Sequence, residues 1–321
     1  MAYRLTLLRN GLFSLDAGSM FGIIPKVVWQ DWVTTDESNR VALQQNALLL
    51  EGEDGSLVLV EAGIGGKITD RERKIYNLGA DFRAVHESVA AAGKNPADVS
   101  AVVLTHLHFD HAGGLTKLDG AGSPAIAFPN AEIIVQEREW KDAIAGKSTM
   151  HKTYLKDHLT DEVAERLRLI PEMQESNGNG HAPTATGGPG AKAKAATEAQ
   201  VLDDLWVFRT PGHTWGQQSV RFVCAGADDA PSGRADALRG RQVCFVSDVM
   251  PTRWHARPTT NLAYDVEPYT SMCERVKLLE RAASDGWVLV PNHDPSEWPF
   301  FEVSADPETP KRWRLQPVAS H

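Results

Sequence analysis

Short apolar runs that each deliver the chain straight to a histidine or an aspartate constrain this sequence more than any other feature. Residues 101–104 lead into His106-Leu107-His108-Phe109-Asp110-His111, and residues 205–208 into Thr210-Pro211-Gly212-His213. Residues 243–246 lead into Ser247-Asp248, and 287–290 into Pro291-Asn292-His293. A brief, continuously apolar run bounded by turn residues reads as a buried strand. The polar groups are therefore expected at strand ends, along one rim if the strands share a direction.

The remaining pattern fits that reading. Residues 5–8, 12–15, 47–50 and 57–60 are further short apolar runs, punctuated by Gly11, Gly18, Gly52 and Gly55. A helix is expected to follow, capped by Asp81, with Phe82, Val85 and Val89 on one face and Gly93 and Pro96 as stops. A second is expected around Met272, Val276 and Leu279, opened by a Ser271/Glu274 capping box and closed before Gly286. Strands in both halves alternating with helices predict an α/β (α+β) chain of two packed sheets with helices outside.

Composition narrows the function. A formal net charge of −9 argues against a general nucleic-acid binder, which carries a basic excess. Cys224, Cys244 and Cys273 are odd in number and lack C-x-x-C spacing, so reduced thiols and a cytoplasmic setting are expected. The N-terminus lacks a signal-peptide pattern, and no apolar stretch is long enough to cross a bilayer. Between 176 and 199 there is no Val, Ile, Leu, Met or aromatic residue, so a flexible insertion is expected there within a single domain spanning 1–321. His181 inside it, with His86, His151, His158 and His321, is expected to be structural or solvated.

Imidazole and carboxylate together suit Zn²⁺ and similar divalent ions. His106 and His108, two residues apart, share a side if the chain stays extended; Asp110 and His111, past the turn, can face a second ion. His213, Asp248 and His293 are the natural distant suppliers, with Asp294 as a competitor in the last segment. An H-x-H-x-D-H string arises by chance in roughly one such sequence in a thousand, so the cluster is a specific signal.

The string His106-x-His108-x-Asp110-His111, followed by Ala112-Gly113-Gly114, resembles the signature of the metallo-β-lactamase-fold hydrolases. His213, Asp248 and His293 resemble that superfamily's later motifs in the expected order. The resemblance implies a four-layer αββα sandwich of two mixed β-sheets with helices on both outer faces. It also implies a dinuclear site in which His106, His108 and His213 hold one ion, Asp110, His111 and His293 the other, and Asp248 bridges. His-Leu-His-Phe-Asp-His-Ala-Gly-Gly is most similar to the quorum-quenching lactonases and the methyl-parathion-hydrolase-like enzymes. The chain departs from the lactonases at Pro251, where they carry tyrosine. It also has Glu61 where many members have aspartate, and Trp215 and Gln217 in place of proline and histidine.

The expected activity is that of a metal-dependent hydrolase cleaving an ester or lactone of a small molecule. Two ions, most simply Zn²⁺ (Mn, Fe or Co fit the same donors), share a hydroxide as nucleophile. Asp110 is expected to orient it and move its proton, with His255 and Tyr264 reaching the substrate. Phosphotriesterase and glyoxalase-II-like thioesterase chemistry would use the same ligands, and a metal-dependent sensor or scaffold is the non-enzymatic alternative. Met20, Phe21, Trp29 and Trp32 are expected to line the entrance, pack in the core or support a homodimer.

Overall fold

The computed structural model describes residues 2–172, 198–228, 234, 236–309 and 312–319. In the first half, strand Arg40–Gly52 pairs antiparallel with Tyr3–Asp16 on one side and Leu57–Val60 on the other. Val99–Val103, Glu132–Gln136 and Leu167–Ile170 then add in parallel. The second half contributes Ala199–Leu202, Leu205–Arg209, Gln218–Asp228, Gln242–Phe245, Val288–Val290, Phe301–Ala305 and Trp313–Pro317. The halves meet where Tyr3 to Thr6 run parallel to Cys224 to Asp228.

Alternation along the strands creates the layers. Val58 and Val60 face an inner core shared with Val103, Ile134, Val243, Phe245, Val288 and Val290 from both halves. Their neighbours Leu57 and Leu59 face outward against Val85 and Val89 of helix Val85–Ala91. Likewise Cys244 and Leu289 turn away from the inner core onto Leu278, Leu279 and Ala282 of helix Pro268–Asp285. The strands are hydrogen-bonded into one continuous sheet whose two halves pack face to face, each covered by helix, in the αββα arrangement. Each fully buried Val, Leu or Phe contributes roughly 1.5–3 kcal/mol.

This topology builds the rim. Leu205–Arg209 and Gln242–Phe245 both run antiparallel to Gln218–Asp228, and Val288–Val290 is parallel to Gln242–Phe245. The three strands therefore share a direction and release His213, Asp248 and His293 at a common end. Gln218 ties that end to the first half, donating its N–H to the Thr105 carbonyl (2.9 Å) and its side-chain amide to the Leu104 carbonyl (2.7 Å).

Several local expectations are corrected. Residues 5–8 and 12–15 belong to one strand, interrupted where its register shifts between Arg9 and Leu12. Gly11 sits there at φ 104, and an added Cβ would stand 2.5 Å from the Phe82 Cα. The first expected helix begins at Val85, not beside Asp81; the Ala84 N–H donates to the Glu87 carboxylate and Phe82 packs elsewhere. The second begins at Pro268, whose missing N–H suits a first turn, so Ser271 and Glu274 lie inside the helix. Gly286 closes it in the left-handed conformation, φ 69.

The expected insertion at 176–199 lies outside the described residues except for its end, where Ala199 opens a strand; His181 and His321 also lie outside them. His158 is buried, and His151 is exposed. Phe21 and Trp29 stack in a fourth cluster with Phe13, Met20 and Phe109, so the exposed aromatics invoked for a homodimer are largely core. Ile23, Val27 and Val28 are the exposed large apolar residues of that segment. Among the described residues no helix is long and apolar enough to cross a membrane.

Candidate metal centre

Six of the seven expected ligands are buried, and Asp110 is half-buried. Their donor atoms fall into three groups: His106, His108 and His213; His106, His111 and Asp248; and Asp110, His111 and His293, each within 4.8 Å. Asp248 stands between the outer sets. Its Oδ2 is 3.3 Å from His213 Nε2, while its Oδ1 is 3.6 Å from His111 Nε2 and 3.5 Å from His293 Nε2. Asp110 Oδ2 reaches His293 Nε2 at 3.5 Å and His111 Nε2 at 3.8 Å. His108 Nδ1 and His213 Nε2 are 3.0 Å apart.

The far sides of the rings show why these orientations hold. His111 Nδ1 meets Glu61 Oε2 at 3.0 Å, His213 Nδ1 meets Asp265 Oδ1 at 3.1 Å, and His293 Nδ1 meets the Gln44 carbonyl at 3.2 Å. His106 Nδ1 lies 3.1 Å from Thr105 Oγ1, which Ser247 engages at 2.7 Å. Asn292 donates to Asp248 Oδ1 at 2.8 Å. With one nitrogen of each ring fixed, Nε2 of His106, His108, His111 and His293 is left buried without a hydrogen-bond partner among the described residues. Buried polar atoms are seldom orphaned, and imidazoles oriented by carboxylate or carbonyl on the other nitrogen are the usual donors of a metal site. The residues fit a pair of divalent cations.

Charge follows the same design. Burial pushes His106, His108 and His293 down, keeping neutral imidazoles with free lone pairs. Burial also opposes the charged form of His111, but Glu61, Asp110 and Asp248 outweigh it and raise that ring well above its ordinary value. Asp248 is held well below the usual carboxylate range, because facing His111, His213 and His293 overcome the cost of burial.

His255 and Asp294 fall elsewhere. His255 is fully buried, with Nδ1 2.8 Å from Thr252 Oγ1 and Nε2 2.8 Å from the Met20 carbonyl, and it stacks on Phe21. Both nitrogens are engaged, one by Thr252 and one by the N-terminal segment, which leaves none for a substrate. Tyr264 packs on the cluster containing Phe109; burial first, then the charges of Asp16 and Asp110, pushes its phenol up to about 12. Asp294 is turned aside from the ligands, accepting from the N–H groups of Arg253 (2.9 Å) and Ser296 (3.0 Å). Pro251 accepts the His293 N–H at 2.9 Å.

Sequence reasoning missed Thr105, Glu139, Ser247, Asp265 and Asn292, and left Glu61 uninterpreted. Three of these sit beside a ligand and were within reach of a search along the strand ends. Asp265 and Glu139 carry no such signal.

The metallo-beta-lactamase superfamily model matches residues 40–191. An N-acyl homoserine lactonase of Bacillus thuringiensis is 32% identical over 125 residues, covering 39% of this chain and 41% of that protein. The N-acyl homoserine lactonase AttM of Azorhizobium caulinodans is 27% identical over 222 residues, 67% of this chain and 65% of the relative. The matches thus span between about two fifths and two thirds of the curated relatives' length. A probable metal-dependent hydrolase from Staphylococcus aureus superposes with TM-score 0.75 at 23% identity, covering 98% of this chain and 97% of that one. Sandwich, ligand order and family match converge on one class, a metal-binding αββα domain. Residues 40–191, a little under half of the chain, are similar to a metallo-beta-lactamase superfamily domain.

Proposed function

We propose that this chain is a dinuclear-metal-dependent hydrolase that cleaves an ester or lactone bond of a small molecule. The observation that carries this is the meeting of two three-residue donor sets at Asp248, with four of their Nε2 atoms buried and without a hydrogen-bond partner among the described residues. His106, His108 and His213 would hold one ion, Asp110, His111 and His293 the other, with Asp248 shared; zinc suits these donors best. Bound there, the ions would polarise the carbonyl and make water nucleophilic at neutral pH. The homoserine-lactone hydrolases among the relatives support the substrate class.

The chain's own groups supply the rest. Asp110 presents a partly accessible carboxylate beside His111 and His293, able to orient the attacking water and accept its proton. The water oxygen bonds to the carbonyl carbon, the carbon–oxygen ester bond breaks, and that proton passes to the departing alkoxide. Ring opening of a lactone yields the hydroxy acid. Tyr264, protonated far above neutrality, can donate a hydrogen bond to the carbonyl or leaving oxygen. We further infer a single domain in a reducing, cytoplasmic setting, in keeping with three unpaired thiols.

The test is turnover of lactone, aryl-ester, thioester and phosphotriester panels by metal-loaded and chelated protein. Lactone or ester hydrolysis lost on chelation is expected. His106→Ala and Asp110→Asn should each lower it on the order of a hundredfold or more. No metal-dependent turnover of any lactone or ester contradicts the proposal.

A further inference from the structure

Glu139 is a wholly buried carboxylate at the third position of helix Glu137–Ile144, and it reaches two ligand-bearing loops at once. Oε1 accepts the N–H of Leu107, the residue between His106 and His108, at 3.0 Å. The same oxygen accepts the Tyr154 hydroxyl at 3.2 Å, and the Tyr154 ring packs 5.0 Å from that of His108. Oε2 accepts the hydroxyl of Thr214, next to His213, at 2.6 Å. The loop is pressed onto the helix: a Cβ on Gly216 would lie 2.3 Å from the Glu139 backbone nitrogen.

We propose that Glu139 is a positioning residue that sets the affinity of the ion held by His106, His108 and His213. Those three donors come from opposite halves of the sandwich, and the carboxylate fixes the spacing of the two loops that carry them. The charge matters as well. Three neutral imidazoles bring no negative charge to a dication, whereas the Asp110, His111 and His293 set contains its own carboxylate. A buried acid behind the all-histidine set offsets that difference. Its three hydrogen bonds, from Leu107, Tyr154 and Thr214, offset part of the cost of burying the carboxylate, and burial still pushes the carboxyl above its ordinary value.

This inference rests on the metal-centre reading, and zinc content after equilibration with a competing chelator separates the two. Loss of such an orienting partner typically weakens metal binding by about 10–100-fold, so Glu139→Ala should retain about one of two ions. Asp110→Asn, which removes a donor of the other ion, should make the double variant nearly empty. Combined with His213→Ala, Glu139→Ala should cost no further metal. Glu139→Gln keeps an acceptor for Leu107 and a partner for Thr214 but loses the charge, and should restore the occupancy in part, above Glu139→Ala and below the wild type. Thr214→Val removes a single bond and should weaken the same ion if Glu139→Ala fails to fold. Wild-type zinc content in both Glu139→Ala and Thr214→Val, or equal further losses in the Asp110 and His213 backgrounds, overturns the role of Glu139 alone. A wild-type chain that takes up no zinc overturns the metal centre itself.

Discussion

Glu61 shows how much one side chain can hold in place. Its backbone lies at φ 76, a left-handed conformation that is unusual for glutamate, and its carboxylate accepts the Thr105 N–H at 3.1 Å as well as facing His111. Glu61→Ala leaves two buried groups unpartnered and should cost ~1–3 kcal/mol in urea unfolding. An unchanged midpoint would mean the carboxylate is not needed there. His255 and His158 each contribute to the pH dependence. Burial is the leading cause that lowers each from an ordinary 6.5 to about 3. Both bind protons more weakly folded than unfolded, so the stability they contribute is full above about 6.5 and is lost as pH falls toward about 3. Thermal midpoints measured in chelator should drop through that window, and His255→Gln should flatten part of the slope. A flat wild-type profile would contradict the assignment of neutral buried rings.

Loops and helix ends decide where the ligands stand. Gly113 and Gly114 follow His111 because the turn after Leu57–Val60 lies directly against them: a Cβ on Gly114 would come within 2.1 Å of the Ala62 carbonyl oxygen. Gly114→Ala must push that backbone aside and, with it, the His111 carbonyl that accepts the Ala62 N–H. Lower zinc content with a reduced thermal midpoint is expected, and a variant that retains both at wild-type values would show the turn to be pliable. The strand ends were legible in the sequence because continuous apolarity marks strands covered on both faces, and the ligands come immediately after them. Helix starts were less so. A Ser271/Glu274 pair looks like a capping box locally, yet Pro268 begins the helix a turn earlier, and Asp81 gives way to Glu87. Glu139 and Asp265 were invisible for a plainer reason: their partners Leu107 and His213 are 32 and 52 residues away in the chain. Nothing in a run such as Glu137-Arg138-Glu139 marks its last member as buried.

Across the whole molecule, the ligands are divided between the halves, with His106, His108, Asp110 and His111 from one and His213, Asp248 and His293 from the other. Ions that bind only the folded sandwich stabilise it by mass action, about 2.7 kcal/mol for each site at a hundredfold excess over Kd. Chelation should therefore lower the thermal midpoint and zinc should restore it; an identical midpoint in both states would place the ions outside the folding equilibrium. The apolar alternation that packs the two halves of the sheet and the polar residues at their strand ends are parts of one design, since only the closed sandwich brings Asp248 between the two donor sets. An anomalous difference map of zinc-soaked crystals at the zinc absorption edge tests this most directly. Two peaks are predicted, one among His106, His108 and His213 and one among Asp110, His111 and His293, with Asp248 between them. No peak at the rim, or zinc bound only elsewhere on the surface, would contradict it.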